Sequence, residues 1–148
     1  MRKYLNSTTL CASLVSGVFS TIFAIAELIM GLGEEASALN AKTAILTAAS
    51  YFGYFLITFW VIVLCYEIVR KFIDAKILSA AIAFILYFAL ETLMLFFSTI
   101  AFKFHGDMAL TLLDYVKIRI ASGQYVFSLQ FFAIAYAFYR IFTLRKKS

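Results

Sequence analysis

Residues 77–102 read ILSAAIAFILYFALETLMLFFSTIAF, and this stretch decides the class of the protein. It carries a single formal charge, the carboxyl group of Glu91, which falls near the middle of the run. A helix of about 20 consecutive apolar residues is long enough to cross the hydrocarbon core of a bilayer. The stretch therefore predicts a transmembrane helix. An ionisable side chain inside such a helix usually faces protein or water instead of lipid, so the surroundings of Glu91 become the central question.

The composition of the whole chain also indicates a membrane protein. Of the 148 residues, 64% are hydrophobic, and the mean hydropathy is +0.95. Soluble domains hold only about 45–50% apolar residues, so this chain has too little polar surface to cover its apolar mass in water. The chain contains no proline, which favours long unbroken helices over the interrupted helices of many transporters. We therefore predict an all-α integral membrane protein.

Three further apolar segments have the length of a membrane span. They cover residues 10–32, 44–69 and 122–142. Together with residues 77–102, they predict a bundle of four transmembrane helices that forms a single membrane domain over residues 1–148.

The positive charges fall mainly in alternate segments of the chain. Nine of the 13 Lys and Arg residues lie in three short segments: Arg2, Lys3, Arg70, Lys71, Lys76, Arg140, Arg145, Lys146 and Lys147. Because cytoplasmic loops carry an excess of positive charge, this bias predicts that both termini are cytoplasmic. We expect a multi-pass protein of a plasma membrane, with the bacterial inner membrane as the first choice. The net charge of +5 then reflects topology, and no nucleic-acid partner is expected.

The connection between the third and fourth spans has a pattern of its own. Asp107, Thr111, Asp114 and Lys117 recur at steps of four, three and three, which places them on one helical face. This pattern predicts a short amphipathic helix over about residues 107–119, lying in the outer membrane interface. Arg119 does not lie on this polar face, so its side chain is expected either to snorkel toward the membrane surface or to pair with another group. The alternation of apolar and basic residues over 116–120 is the competing pattern, which suits a short strand.

One face of the first helix carries small residues. Ser13, Gly17, Ser20 and Ala24 follow one another at steps of four, three and four, so they form one stripe along the helix. Small residues let the backbones of membrane helices approach closely, and we predict that this stripe packs against another helix. Glu27 continues the same stripe nearer to the outer end of the span.

Few polar side chains fall within the predicted spans. The candidates are Glu27, Tyr87, Glu91, Thr92, Ser98, Ser128 and Gln130. Glu91 and Gln130 lie at comparable depths on sequential antiparallel helices, so we first expect a protonated Glu91 to donate a hydrogen bond to the Gln130 amide. On that interpretation, Glu91→Gln leaves folding and assembly intact. The alternatives are a ring of Glu91 side chains around an oligomeric pore and a proton-coupled carboxylate in a transporter.

The sequence indicates no catalytic or metal site. Its one histidine, His105, lies in a connection among scattered acids without a recognisable metal-ligand spacing. No phosphate-binding glycine loop or nucleophile–base arrangement is found, so we expect no enzyme activity, no metal and no cofactor.

The basic segments of the sequence are the expected binding surface for a partner, because they concentrate positive charge. The predicted cytoplasmic surface includes Arg70, Lys71, Lys76, Arg145, Lys146 and Lys147. Such a surface suits an acidic protein partner or anionic lipid. We expect a homo-oligomeric scaffold or sensor subunit that lies in the lipid bilayer and anchors a cytosolic partner protein. Small membrane subunits of this general kind occur in bacterial systems for defence against phage, for secretion and for exclusion. The alternative is an oligomeric ion channel or proton-coupled transporter that uses Glu91, Glu27 or both.

Overall fold

The computed structural model describes residues 7–32, 40–102 and 111–145. These residues form five α-helices and no strand. The helices are α1 (Ser7–Leu32), α2 (Ala41–Arg70), α3 (Lys76–Phe102), α4 (Leu112–Ala121) and α5 (Gln124–Arg145). Four of them, all but α4, are long and apolar enough to cross a membrane. The prediction of an all-helical chain with four long apolar helices is confirmed, and these helices are compatible with a membrane helical bundle.

The short helix α4 covers the residues for which the sequence pattern also suggested a strand. Residues 116–120 lie within α4, so the strand interpretation is wrong. Within the described residues the helix begins at Leu112, because Thr111 has extended backbone angles and its Oγ1 accepts a hydrogen bond from the Asp114 backbone N–H at 3.2 Å. A threonine in this N-cap position satisfies a backbone donor that has no partner inside the helix. The earlier part of the predicted helix, residues 107–110, lies outside the described residues.

The chain divides into two compact units. The first unit comprises Met1–Val63 together with Ala133–Ser148, and it includes α1 and most of α2. The second unit comprises Leu64–Phe132, and it includes α3, α4 and the start of α5.

In the first unit, the small stripe of α1 is turned inward. Ser13, Gly17 and Ser20 are buried, whereas Ala24 is half-buried. A Cβ atom at Gly17 would lie 3.1 Å from the Phe52 ring and 3.3 Å from a methyl group of Leu56, both on α2. Only a hydrogen atom fits comfortably at this place. The glycine thus permits the close approach of α1 and α2 that small residues provide in membrane proteins.

In the second unit, two tight turns fix the order of the helices. The hydroxyl of Ser79 is fully buried and lies 2.7 Å from the Ile73 carbonyl, a contact that ties the α2–α3 turn to the first turn of α3. Between α4 and α5, Gly123 has a φ of +72°, in the left-handed region that side chains disfavour. This glycine lets α5 begin after only two residues of turn, and so brings the end of α4 next to the start of α5.

Candidate functional site

Two charged residues are buried in the described part of the chain, and they contact each other. Glu91 on α3 is 8% exposed, and Arg119 on α4 is 3% exposed. Arg119 Nη2 lies 2.8 Å from Glu91 Oε2, which forms a buried ion pair inside the second unit.

The guanidinium of Arg119 has a hydrogen-bond acceptor along each of its edges. Nη2 donates to Glu91 Oε2 at 2.8 Å and to Ser128 Oγ at 3.1 Å. Nη1 donates to Thr92 Oγ1 at 2.7 Å, and Nε donates to Gln124 Oε1 at 3.3 Å. The planar fork of an arginine suits such a set of fixed acceptors, whereas a lysine ammonium is a compact point charge.

The carboxyl group of Glu91 receives donors on both oxygens. Oε2 accepts from Ser128 Oγ at 2.6 Å in addition to Arg119, and Oε1 accepts from the Tyr87 hydroxyl at 2.6 Å. An ionised carboxylate is an acceptor only, so three donors around Glu91 match the ionised form. The protonated Glu91 expected from the sequence does not suit this donor set.

An aromatic ring and a backbone carbonyl complete the surroundings of the ion pair. The Arg119 guanidinium carbon lies 4.8 Å from the centre of the Phe88 ring, within the range of a cation–π contact. Thr92 Oγ1, which accepts from Arg119, donates its own proton to the Phe88 carbonyl at 2.6 Å. We refer to the whole set as the Arg119 cluster: Tyr87, Phe88, Glu91, Thr92, Arg119, Gln124 and Ser128.

The helical repeat explains why these residues converge. Tyr87 and Glu91 on α3 are four residues apart, as are Gln124 and Ser128 on α5, so each pair lies on one face of its helix. The left-handed turn at Gly123 places the last turn of α4 beside the first turns of α5. Arg119 therefore enters the cluster from the short helix, and α3 and α5 supply the acceptors.

The predicted hydrogen bond between Glu91 and Gln130 is wrong. The amide oxygen of Gln130 was the expected acceptor, but it is buried and has no hydrogen-bond partner among the described residues. The physical reason is rotational: Gln130 is two residues beyond Ser128, which corresponds to about 200° around the helix axis. Because Ser128 faces Glu91, Gln130 points away from it.

The other residues selected from the sequence lie apart from the Arg119 cluster. Glu27 is half-buried in the first unit. Arg70, Lys71 and Lys76 are exposed at the α2–α3 turn. Arg145 ends α5, while Lys146 and Lys147 lie outside the described residues, as does His105.

The sequence does not identify Arg119 as the partner of Glu91. It does place Tyr87, Thr92 and Ser128 among the polar side chains of the predicted spans, and all three belong to the cluster. One feature of the sequence does indicate a special role for Arg119: it does not lie on the polar face of α4. A cation surrounded by apolar neighbours in a short helix needs an acidic partner, and Glu91 is the one acid within the third span.

The cluster is suited to holding three helices together. Its two opposite charges neutralise each other, and the hydroxyl groups of Thr92 and Ser128 act as both donors and acceptors. Taking two charges out of water costs several kcal/mol per ion, a cost that is offset only when additional hydrogen bonds are present, as they are here. No group of three or more His, Cys, Asp or Glu side chains that could hold a metal ion occurs among residues 7–32, 40–102 and 111–145.

Comparisons of the chain with protein-family models, with curated proteins and with solved structures found no match.

Proposed function

We propose that this protein is a non-enzymatic, multi-pass membrane subunit that forms a homo-oligomer and anchors a cytosolic partner protein. One observation carries the proposal: both carboxylate oxygens of Glu91 are engaged by donors of the same chain. The intramembrane acid that first suggested ion chemistry is therefore used to hold helices together.

The engagement of Glu91 argues against a role in transport. An acidic group that lines a cation pore attracts ions through its uncompensated negative charge. The Arg119 guanidinium at 2.8 Å cancels that charge. A proton-coupled carboxylate must in turn exchange its proton with water, yet Glu91 is only 8% exposed. A channel or transporter that uses Glu91 would have to break the ion pair in every cycle.

The proposed topology is a four-helix bundle with both termini in the cytoplasm. It follows from the distribution of Lys and Arg, because the α2–α3 turn and the two terminal segments hold most of the positive charge. The short helix α4 then lies in the outer interface. In support, α4 exposes Asp114 and Lys117 together with Leu113 and Ile118, and such a mixed surface suits the headgroup region.

The proposed partner surface is basic. Arg70, Lys71 and Lys76 are exposed, and the segment 145–147 adds three further cations in the sequence. These groups would face the cytoplasm, where the segment 145–147 attracts an acidic protein surface and the cations of the α2–α3 turn attract an acidic protein surface or anionic lipid. In this proposal the subunit acts through the protein that its basic surface recruits.

The first test is an ion-flux measurement. The purified protein is reconstituted into liposomes with an imposed proton or potassium gradient, and a fluorescent dye follows the decay of the gradient. We expect the decay to match that of empty liposomes. A flux that rises with protein density and disappears in Glu91→Gln liposomes containing the same amount of folded protein would contradict the proposal.

The second test concerns oligomer and partner. A photo-crosslinking amino acid is placed in cells at Lys147 and, as a control on the side proposed to be external, at Lys42, an exposed residue at the start of α2. We expect the mass of the purified protein to correspond to an oligomer, and we expect Lys147 but not Lys42 to crosslink one distinct cytosolic protein. A monomer with identical crosslinks from both positions would reject the proposal.

A further inference from the structure

The turn between α2 and α3 presents an unusual combination of side chains. Phe72 is 83% exposed and Ile77 is 88% exposed, the two highest values among the large apolar residues that the structure describes. Three cations flank them, and the side chains of Arg70, Lys71 and Lys76 are all exposed. The α2–α3 turn, defined as residues 70–77, thus presents apolar and cationic side chains together.

Backbone hydrogen bonds hold this turn in one shape. The N–H groups of Phe72 and Ile73 both donate to the Val69 carbonyl at 3.0 Å, and the buried Ser79 hydroxyl contacts the Ile73 carbonyl. These bonds fix the backbone on both sides of Phe72. The exposure of its ring is thus a feature of the folded turn.

The charge of the turn is positive on balance. Asp74 is exposed within it, and Glu67 lies one turn earlier on α2, half-buried and engaged in an interaction of its own. The three cations outnumber the single acid of the turn. The turn also directly joins two helices that are long and apolar enough to cross a membrane, which places it at the depth of the phospholipid headgroups if they do so.

We propose that the α2–α3 turn binds the headgroups of anionic phospholipids. Lys71 and Lys76 contact the phosphates, and Phe72 and Ile77 insert at the boundary between headgroups and acyl chains. Juxtamembrane cations gain about 1 kcal/mol each from an anionic membrane surface, and aromatic side chains favour the membrane interface. A single phospholipid can satisfy both kinds of side chain. Its phosphate pairs with the lysines, and its acyl chain covers Phe72 and Ile77, which then lose contact with water.

This inference stands apart from the proposed function. It requires only that α2 and α3 cross a bilayer, and it leaves the basic segment 145–147 to the protein partner. An acidic protein bound at the turn is the competing occupant, and quenching by brominated lipids separates the two.

The test uses a tryptophan at the turn and brominated lipids as quenchers. Trp60 is replaced by phenylalanine, Phe72 is replaced by tryptophan, and the full-length protein is placed in nanodiscs. Brominated phosphatidylglycerol or brominated phosphatidylcholine is added at the same low mole fraction. We expect phosphatidylglycerol to quench the fluorescence more strongly, with a local enrichment of about fivefold for each lysine that contributes, equivalent to about 1 kcal/mol.

Two charge-matched pairs of substitutions identify the groups responsible. Lys71→Gln with Lys76→Gln should abolish the preference for phosphatidylglycerol. The control pair, Lys42→Gln with Lys117→Gln, removes the same charge from exposed sites outside the turn. This control should keep the preference for phosphatidylglycerol. Equal quenching by the two lipids in the parent protein would overturn the proposal. So would a lack of quenching by either lipid, because the turn would then face protein or water.

Discussion

Arg119 determines what the carboxyl group of Glu91 can do. With the guanidinium at 2.8 Å and two hydroxyl donors at 2.6 Å, the carboxylate has its charge compensated and both its oxygens engaged within the chain. Removal of one member of a buried ion pair leaves the other charge without compensation, at a cost of about 3–5 kcal/mol. The tolerance of Glu91→Gln that the sequence suggested is accordingly reversed: we now expect this substitution to destabilise the protein.

At the scale of single residues, the sequence predicts which polar side chains belong to the cluster better than it predicts which of them bond to each other. The helical repeat shows that Tyr87 shares a face with Glu91, and the hydropathy of the run shows that both are buried. It does not show which face of α5 meets α3. Ser128 and Gln130 lie at nearly the same depth, and only the rotation of α5 decides between them. That rotation depends on packing, including the turn at Gly123, which no local pattern around Glu91 encodes.

Arg119→Lys separates the shape of the guanidinium from its charge. A lysine keeps the charge that Glu91 needs, but its ammonium cannot reach Thr92, Gln124 and Ser128 at the same time. Lost hydrogen bonds to a charged group are worth about 1.5–3 kcal/mol. We expect a lower thermal unfolding midpoint in detergent, and Lys117→Arg on the exposed face of α4 serves as the control. An unchanged midpoint for Arg119→Lys would show that only the charge matters.

At the scale of the elements, apolar run lengths predict the long helices well. Helices α1, α2 and α3 extend the predicted spans by one to four residues, because a helix can continue past the point where hydropathy falls. Helix α5 starts two residues later than predicted, after the left-handed Gly123, and ends three residues later. Helix α4 is the exception at its beginning. Its start depends on one hydroxyl–backbone contact, the Thr111 cap, and the polar stripe through Asp107 carries no information about a cap.

The turn at Gly123 should be sensitive to a side chain even though there is space for one. Its φ of +72° disfavours a Cβ atom, and no atom lies within 4 Å of the position where that atom would stand. We expect Gly123→Ala to lower the free energy of unfolding by about 1–2 kcal/mol, since this is the cost of the left-handed conformation. Gly123→Asn should cost less, because asparagine adopts this conformation more readily.

Thermal melts of the two variants give the comparison. Equal stability of Gly123→Ala and the parent protein would mean that the turn tolerates another conformation, and the fixed position of Arg119 would lose its explanation.

Substitutions of Gly17 and Gly53, which both lie in helices of the first unit, are expected to have opposite effects. Gly17 faces Phe52 and Leu56 at contact distance, whereas a Cβ atom at Gly53 meets nothing within 4 Å. Gly17→Leu should force α1 and α2 apart and destabilise the protein by about 1–3 kcal/mol, the usual cost of overpacking. Gly53→Leu should leave the stability unchanged or raise it, since glycine is a weak helix former. The midpoint of thermal unfolding in the same detergent decides, and equal losses at both positions would contradict the packing of the stripe.

At the scale of the whole molecule, composition and charge distribution carry most of the information. The hydrophobic content predicts the membrane class, and the four apolar helices agree with it. Orientation, oligomeric state and partner depend on surfaces that meet lipid or other chains. A single sequence specifies such surfaces only through average composition and charge.

The orientation can be measured by labelling introduced cysteines in intact cells. In a background with Cys11→Ser and Cys65→Ser, a cysteine is placed at Lys117 or at Ser148. We expect a membrane-impermeant maleimide to label the cysteine at Lys117, on the outer interface, and to spare the one at Ser148 until the cells are permeabilised. The reverse pattern would invert the topology and move the basic surface away from the cytoplasm.

The most direct test of the central claim is a double-mutant cycle between Glu91 and Arg119, read out as the thermal unfolding midpoint of purified protein in one detergent. We expect Glu91→Gln and Arg119→Gln each to destabilise the protein strongly, by about 3–5 kcal/mol, because each leaves a buried charge without its partner. The double variant, which removes both charges together, should recover much of the loss. A Glu91→Gln variant as stable as the parent protein, or two losses that simply add in the double variant, would contradict the account.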